Sequence, residues 1–195
     1  MQVGIGNHAA TLKVYNANQP DLPFIKAKTP ITPLGSGDIE RINQINGNHW
    51  RKIFNCLAKV SNLIETPLNI PWQVFRDEKL LREKSNQAII FAELSQTKKI
   101  LQQHIDLTNQ LPNSSNMPDC SQVPSQSKRP IEIHIICGKQ FFNHLNLAVD
   151  YYWQDDAFAI APKNNIIVSP YFDYRQLSNQ KIESLVQLIQ YLRSV

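Results

Sequence analysis

Seven consecutive residues near the C-terminus carry the densest set of groups that could do chemistry. Residues 169–175 read Ser-Pro-Tyr-Phe-Asp-Tyr-Arg, so three aromatic rings, a carboxylate and a guanidinium stand together. Aromatic rings in a loop can stack on a nucleobase, and Arg175 can bind a phosphate or a carboxylate through two hydrogen bonds. We therefore predict that Tyr171, Phe172 and Arg175 bind a ligand and that Asp173 activates a water. The alternative is that Phe172 and Tyr174 pack beneath the last helix while Asp173 and Arg175 pair locally.

A second turn places a lysine directly after a glycine. Gly138 ends an apolar run and Lys139 opens a helix-like pattern. A glycine at such a point lets the backbone turn tightly and leaves helix amides facing the turn, where an anion can bind. Lys139 adds positive charge and is a predicted ligand-binding residue, most simply for a phosphorylated group. The alternative is a tight strand-to-helix turn with no ligand.

A third turn, near the N-terminus, is rich in amides. Asn16, Asn18 and Asp21 follow a short alternating segment at residues 12–15. Side-chain amides can read the edges of nucleobases, so Asn16 and Asn18 are predicted to bind substrate. Asp21 is a second candidate water activator. Ordinary turn chemistry, in which such side chains bond their own backbone, is the alternative.

Each of these three turns follows an apolar strand-like run, at residues 12–15, 131–137 and 165–168. The last two runs are also followed by helical patterns. Strand-turn-helix units build parallel sheets, and ligands then lie at the carboxyl ends of the strands. We predict an α/β domain with a small parallel sheet of about four strands and helices on both faces. Residues 88–92 are ambiguous between strand and helix, because a short apolar run has no decisive period.

Two helices are predicted by their apolar spacing. In the first, apolar residues recur at helical intervals over residues 50–64, at Trp50, Ile53, Phe54, Leu57, Val60 and Ile64. The second follows Ser178 as N-cap, and its stripe is Ile182, Leu185, Val186, Ile189 and Leu192. Each stripe predicts a helix that buries one face against the sheet.

The 195 residues fit one α/β domain, residues 1–195, with one segment of different composition inside it. Residues 109–129 are dominated by Ser, Asn, Gln and Pro. Such a segment buries too little apolar area to offset the entropy of ordering it, so we predict a flexible polar insert there.

Several classes of protein are disfavoured by what the sequence lacks. The three cysteines stand far apart without a CxxC pair, and the five histidines form neither HxxxH nor HExxH, so no cofactor and no metal are predicted. Glu132 and His134 share one face of a strand, which is typical of a satisfied polar contact. No signal peptide or membrane span is apparent, and we predict a cytoplasmic protein that does not bind membranes.

The order of the three turns resembles that of the uracil-DNA glycosylase superfamily. The matching places are residues 16–20, then Gly138-Lys139, then residues 169–175, and the resemblance covers mainly residues 130–195. It implies a small parallel sheet flanked by helices and a site for a flipped nucleobase. The chain departs from the family at Tyr171, which stands where the family has its catalytic histidine. It also lacks the family's leading glycine in the first loop and any cysteine set for an iron–sulfur cluster.

Two functions from different classes follow. The first is a nucleobase-binding or nucleic-acid-binding protein on a glycosylase-like scaffold, whose reaction, if it has one, is N-glycosidic hydrolysis of a flipped base. The net charge of +4, with the positive excess in the N-terminal half, is compatible with such a partner. The second is a non-enzymatic protein-interaction module that uses the basic N-terminal half and the proline-rich segment 23–33.

Overall fold

A single eight-stranded sheet forms the centre of the protein. We describe it from a computed structural model, in which residues 3–25, 29–65, 70–110 and 130–194 are described. The strands are β1 (Gly4–Gly6), β2 (Leu12–Tyr15), β3 (Ile31–Thr32), β4 (Gln87–Ile90), β5 (Ile133–Cys137), β6 (Tyr152–Trp153), β7 (Ala159–Ala161) and β8 (Ile166–Ser169). Their order across the sheet is β3-β1-β4-β2-β5-β8-β7-β6.

The sheet is mixed. Its four central strands, β4, β2, β5 and β8, are parallel, whereas β1 pairs antiparallel with β4 and β7 pairs antiparallel with β8. The predicted α/β class is confirmed, but the predicted sheet of about four strands is too small. The outer strands β1, β3, β6 and β7 have only two or three residues each. Strands that short show no alternation in the sequence, so their presence depends on pairing with neighbours.

Strand β2 is the first of the four parallel strands in the chain, yet it lies inside the sheet. The chain goes from β2 to β4 on one side and later to β5 on the other side. Neighbouring strands whose connections leave in opposite directions open a crevice at their carboxyl ends. The crevice therefore lies where β2 and β5 end.

Helices cover both faces of the sheet. The helices of one face, α1 (Asp38–Asn46), α2 (Asn48–Ile64), α3 (Trp72–Glu78) and α6 (Asn179–Ser194), bury side chains in one apolar cluster. Helices α4 (Leu94–Gln110) and α5 (Lys139–Leu145) bury theirs in a second cluster on the opposite face. Side chains along a strand alternate between these clusters: Ile135 joins the first and Ile136 the second.

The two helices expected from apolar spacing are present. In α2 the residues Trp50, Ile53 and Leu57 are buried, and in α6 the whole predicted stripe is buried. The ambiguous segment is a strand at Gln87–Ile90, because pairing with β1 on one side and β2 on the other satisfies its backbone.

Most of the predicted insert lies outside the described residues, since residues 111–129 are not described. Its first two residues, 109 and 110, are helical and end α4, so the helix extends further than the change of composition indicated. Within the described ranges, none of the helices combines the length and the apolar character needed to span a bilayer.

Candidate functional site

The turns after β2, β5 and β8 meet at the carboxyl edge of the sheet. The Gly138 amide donates to the Ser169 carbonyl oxygen (2.8 Å), which joins the second turn to the third. The hydroxyl of Tyr171, in the third turn, lies 3.1 Å from Oδ1 of Asn16 and 3.0 Å from Nδ2 of Asn18, in the first turn. Three turns that are up to 155 residues apart in the chain thus form one surface.

The Tyr171 hydroxyl has a third partner, Nε2 of His49, at 2.8 Å. The imidazole of His49, near the start of α2, also stacks on the Tyr171 ring, with centroids 5.5 Å apart and planes 29° apart. Burial raises the pKa of Tyr171, so the hydroxyl stays protonated. The hydroxyl donates its proton to Oδ1 of Asn16 and accepts a hydrogen bond from Nδ2 of Asn18, and its second lone pair can accept one from Nε2 of His49.

The Asn16 side chain holds the first turn in shape but retains an unused donor. It is fully buried, and its Oδ1 accepts hydrogen bonds from the Asn18 amide (2.9 Å) and from Tyr171. Among the residues that the structure describes, none accepts a hydrogen bond from Nδ2 of Asn16. A buried amide with a spare donor is costly, and a shift of the turn that exposed it would offer that donor to a ligand carbonyl.

Glycine is required where the second turn joins α5. Gly138 has φ of +100°, a backbone conformation that residues with a Cβ rarely adopt. A Cβ at this position would meet no atom closer than Cδ2 of Tyr171, at 3.9 Å. Backbone conformation, rather than lack of space, therefore explains the glycine. It directs the chain into α5 so that Lys139 stands at the edge of the surface.

A two-lobed hollow surrounds Gly138, and we call it the Gly138 cleft. Both lobes are lined by Gly138, Lys139, Tyr171 and Gln176. The larger lobe, about 720 Å³, is completed chiefly by Trp153, Asp155, Asp156, Arg175 and Lys181. The smaller lobe, about 520 Å³, is completed chiefly by Asn18, Gln140, Phe141 and His144. These volumes are in the range of sites that hold small organic ligands.

The larger lobe combines cations with an indole ring. Nζ of Lys139 lies 4.2 Å from the centroid of the Trp153 ring, and Arg175 is exposed on the same lobe. Asp155 on that wall shapes the chain, because its Oδ1 accepts hydrogen bonds from the amides of Ala157 and Phe158 (2.7 Å each). The lobe therefore offers positive charge beside an aromatic surface, with acidic groups at one wall.

Five of the eight predicted site residues converge on this surface. Asn18, Lys139, Tyr171 and Arg175 line the cleft, and Asn16 supports Tyr171 from below.

The other three predicted residues lie elsewhere. Phe172 is fully buried in the apolar cluster beneath α6, which leaves no ring face for a ligand. Asp173 accepts hydrogen bonds from the Arg175 amide (3.0 Å) and from Nζ of Lys52 (2.8 Å), and these bonds, the first most of all, hold the pKa of its carboxyl below the ordinary value. The backbone of Asp21 is bonded in both directions to the side chain of Asn46, and Asp21 does not line the cleft. The proposed roles of Phe172, Asp173 and Asp21 therefore have no support from the geometry.

Several residues of the site were not predicted. His49 comes from α2, and Trp153 and Asp156 come from the strand and turn that precede β7. The sequence around them carries no motif, because pairing of β6 with β7 places Trp153 and Asp156 at the cleft and packing of α2 places His49 against Tyr171. A second group of polar residues, His104, Glu132 and His134, lies together outside the cleft and has the donor atoms for a metal ion.

Comparison with known proteins gives one family match. The model of a family described as "Family of unknown function (DUF6942)" matches residues 3–190. Searches of curated proteins and of solved structures gave no match.

Proposed function

The chain belongs to the family of unknown function DUF6942, and for this member we propose that the Gly138 cleft binds a nucleobase-bearing ligand, a nucleotide or the end of a nucleic-acid strand. One observation carries the proposal: cations, aromatic rings and exposed side-chain amides from three separate turns share one cleft. Cations bind phosphate, aromatic rings stack on the face of a base, and amides form hydrogen bonds with the edge of a base.

The aromatic and amide groups suit a base. Trp153 and Tyr171 both line the larger lobe, and either ring gives a surface on which a base can stack. Asn18 and Gln176 are exposed and carry both donors and acceptors. Such groups discriminate between bases by hydrogen bonding to their edges.

The charges suit one or a few phosphates. Lys139 and Arg175 are exposed, and Lys181 lines the same lobe, with its Nζ bonded to the Gln176 carbonyl oxygen (3.1 Å). Asp155 and Asp156 line the same lobe and carry negative charge. A long polyanion would meet these carboxylates along its path, so the mixed lobe favours a short ligand.

The scaffold proposed with this function is the glycosylase-like one. The support for it is that β2, first of the central parallel strands, lies inside the sheet and that the three matching turns meet. The chemistry of the family is not proposed. Tyr171 stands in place of the catalytic histidine, and Asp173, which we expected to activate water, is neutralised by Lys52. We propose binding without hydrolysis, in the cytoplasm.

The test is ligand binding by matched charge variants. Fluorescence anisotropy with a labelled oligo(dT) at low salt measures affinity, and competition by dTMP and by thymidine separates phosphate from base. We expect Lys139→Ala and Arg175→Ala each to weaken binding about tenfold, or about 1.4 kcal/mol. The matched control is Lys84→Ala, because Lys84 is exposed and precedes β4, at the opposite edge of the sheet. Added salt weakens binding in the wild type.

Two results would contradict the proposal. One is no binding of oligo(dT) or dTMP by the wild type at low salt. The other is an equal loss in Lys84→Ala and Arg175→Ala, which would indicate attraction to net charge alone. Either result would make the non-enzymatic protein-interaction module the better hypothesis, since that function needs no ligand in the cleft.

A further inference from the structure

Two histidines and a glutamate cluster on the face of the sheet that α4 covers. His134 lies on β5, Glu132 lies just before β5, and His104 lies on α4. One ring nitrogen of each histidine and a carboxylate oxygen of Glu132 lie within 4.8 Å of one another. His134 is level with Lys13 and Ile166 in the strand register, at the amino end of β5. The cluster is therefore separate from the Gly138 cleft, which follows the carboxyl end of β5.

The cluster contains a buried nitrogen with no partner. Nδ1 of His134 bonds to the hydroxyl of Tyr15 (2.8 Å), and the His134 side chain is 3% exposed. Across the described part of the chain, no group lies within hydrogen-bond distance of the other nitrogen, Nε2. The nearest acidic atom is Oε2 of Glu132, at 3.8 Å. That separation is too long for a hydrogen bond.

Hydrogen bonds outside the cluster fix the ring of His104. Its Nε2 lies 2.8 Å from the carbonyl oxygen of Asn164, which can only accept, so Nε2 carries the proton. The lone pair is then on Nδ1. Asn164 is itself buried and donates to Thr108 and Asn109 of α4. Such an outer bond from one ring nitrogen to a carbonyl is what orients histidines that ligate metals through the other.

Both imidazoles are held neutral, as metal ligands must be. Their ring centroids are only 3.9 Å apart. Burial lowers the pKa of His134, and its closeness to His104 and Lys13 lowers it further. Burial likewise lowers the pKa of His104, despite the bond to Asn164. Two neutral rings and one carboxylate present two nitrogen donors and one oxygen donor.

We propose that His104, Glu132 and His134 bind one divalent transition-metal ion, with Zn²⁺ the best match. Nδ1 of His104, Nε2 of His134 and one oxygen of Glu132 are the ligands. Zinc with nitrogen and oxygen bonds of about 2.0–2.2 Å places its ligands roughly 3.3–3.6 Å apart. The donor atoms, which lie within 4.8 Å of one another with 3.8 Å between His134 and Glu132, therefore move together by up to roughly 1.5 Å when the ion binds. Glu132 is 43% exposed, which gives the ion an entry path and leaves water as the fourth ligand.

Lys13 is the competitor for this site. Its Nζ lies 2.5 Å from Oε2 of Glu132, so the ammonium occupies the place beside the carboxylate that a metal ion would take. Zn²⁺ therefore displaces Lys13 when it binds, and the ion then joins α4 to β5. The ligands form no sequence motif, because they are distant in the chain. His104 on α4 precedes Glu132, which lies just before β5, by 28 residues.

The test is titration of the full chain with Zn²⁺ by isothermal calorimetry, with melting temperature as the second readout. We expect one ion per chain and a higher melting temperature with Zn²⁺. His104→Gln and Glu132→Gln should each weaken binding at least tenfold. The control is His8→Gln: His8 is exposed, lies in the turn between β1 and β2, and is outside the cluster, so its loss should change nothing.

Lys13→Gln gives a result that misfolding cannot mimic. Removal of the competing ammonium should tighten Zn²⁺ binding by about tenfold, because a like charge next to the ion is lost. Weaker or unchanged binding by Lys13→Gln would overturn the proposal. So would wild-type binding that is no tighter than that of His104→Gln, which would indicate adventitious surface binding only. Neither result bears on the nucleotide proposal, since the cleft shares no residue with this cluster.

Discussion

Removal of one oxygen atom, by Tyr171→Phe, tests whether the Tyr171 hydroxyl joins the turns of the Gly138 cleft. The hydroxyl lies within hydrogen-bond distance of three side chains, those of Asn16 and Asn18 in the first turn and that of His49 on α2. Asn18 and His49 are exposed, so water replaces their bonds at little cost. Asn16 is fully buried, and it loses one of the two donors to its Oδ1.

The expected loss of stability follows from that single buried partner. Oδ1 of Asn16 still accepts a hydrogen bond from the Asn18 amide, so it loses one of its two hydrogen bonds and keeps the other. We expect a decrease of about 1–2 kcal/mol in the free energy of unfolding, the range for one hydrogen bond with a partly buried partner. Urea denaturation measures it. With a slope of about 2.5 kcal/mol per molar, the midpoint should fall by roughly 0.4–0.8 M.

Tyr174→Phe is the matched control, because Tyr174 is 59% exposed and its ring, not its hydroxyl, contacts Lys52. It should change stability by no more than about 0.5 kcal/mol. Equal effects of the two substitutions would refute the idea that the Tyr171 hydroxyl joins the turns. A loss above about 3 kcal/mol for Tyr171→Phe would instead mean that Asn16 is left unsatisfied, against the geometry described.

Two further perturbations follow from the fold. Gly6→Ala should lower the free energy of unfolding, measured by urea denaturation, by about 3 kcal/mol or more, because a Cβ there overlaps the Gln87 carbonyl oxygen and φ is +114°. The control is Gly37→Ala, which should lower it by only about 1 kcal/mol, because φ is +80° but the space is open. Asp173→Asn should lower stability at pH 7 by about 0.5–1 kcal/mol through loss of the ion pair with Lys52. Because the pKa of Asp173 is lowered in the folded state, this difference is full above about pH 4 and disappears as pH falls through the native pKa; a difference that persists at pH 2 would contradict it.

Much of the architecture was predictable because it depends on local pattern. The helical spacing of Trp50, Ile53 and Leu57 is enough to define the buried face of α2, and the same holds for the stripe of α6. The alternation and the turn residues around Gly138 were enough to find β5, its turn and α5. That the three turns meet was predictable for a related reason, since the carboxyl ends of parallel strands share one edge.

Two adjacent residues show what local sequence pattern cannot predict. Tyr171 and Phe172 are adjacent aromatics, and both were predicted to bind a ligand. Tertiary packing turns Tyr171 to the cleft, where Asn16 and His49 bond its hydroxyl, and buries Phe172 under α6. The hydroxyl decides this, because a buried phenol without partners costs more than a buried phenyl ring.

The sequence by itself determined the α/β class, the main helices and the chemical groups that gather at the carboxyl edge. Tertiary structure alone decided that Gln87–Ile90 is a strand, that four short strands widen the sheet and that His49 reaches Tyr171. It also brought His104 beside His134, two residues that no spacing connects. The physical reason is the separation along the chain of the residues in contact, because sequence periodicity reflects only the local conformation of one segment and which of its faces is apolar. Strand pairing and side-chain clustering depend instead on contacts between segments that are distant in the chain.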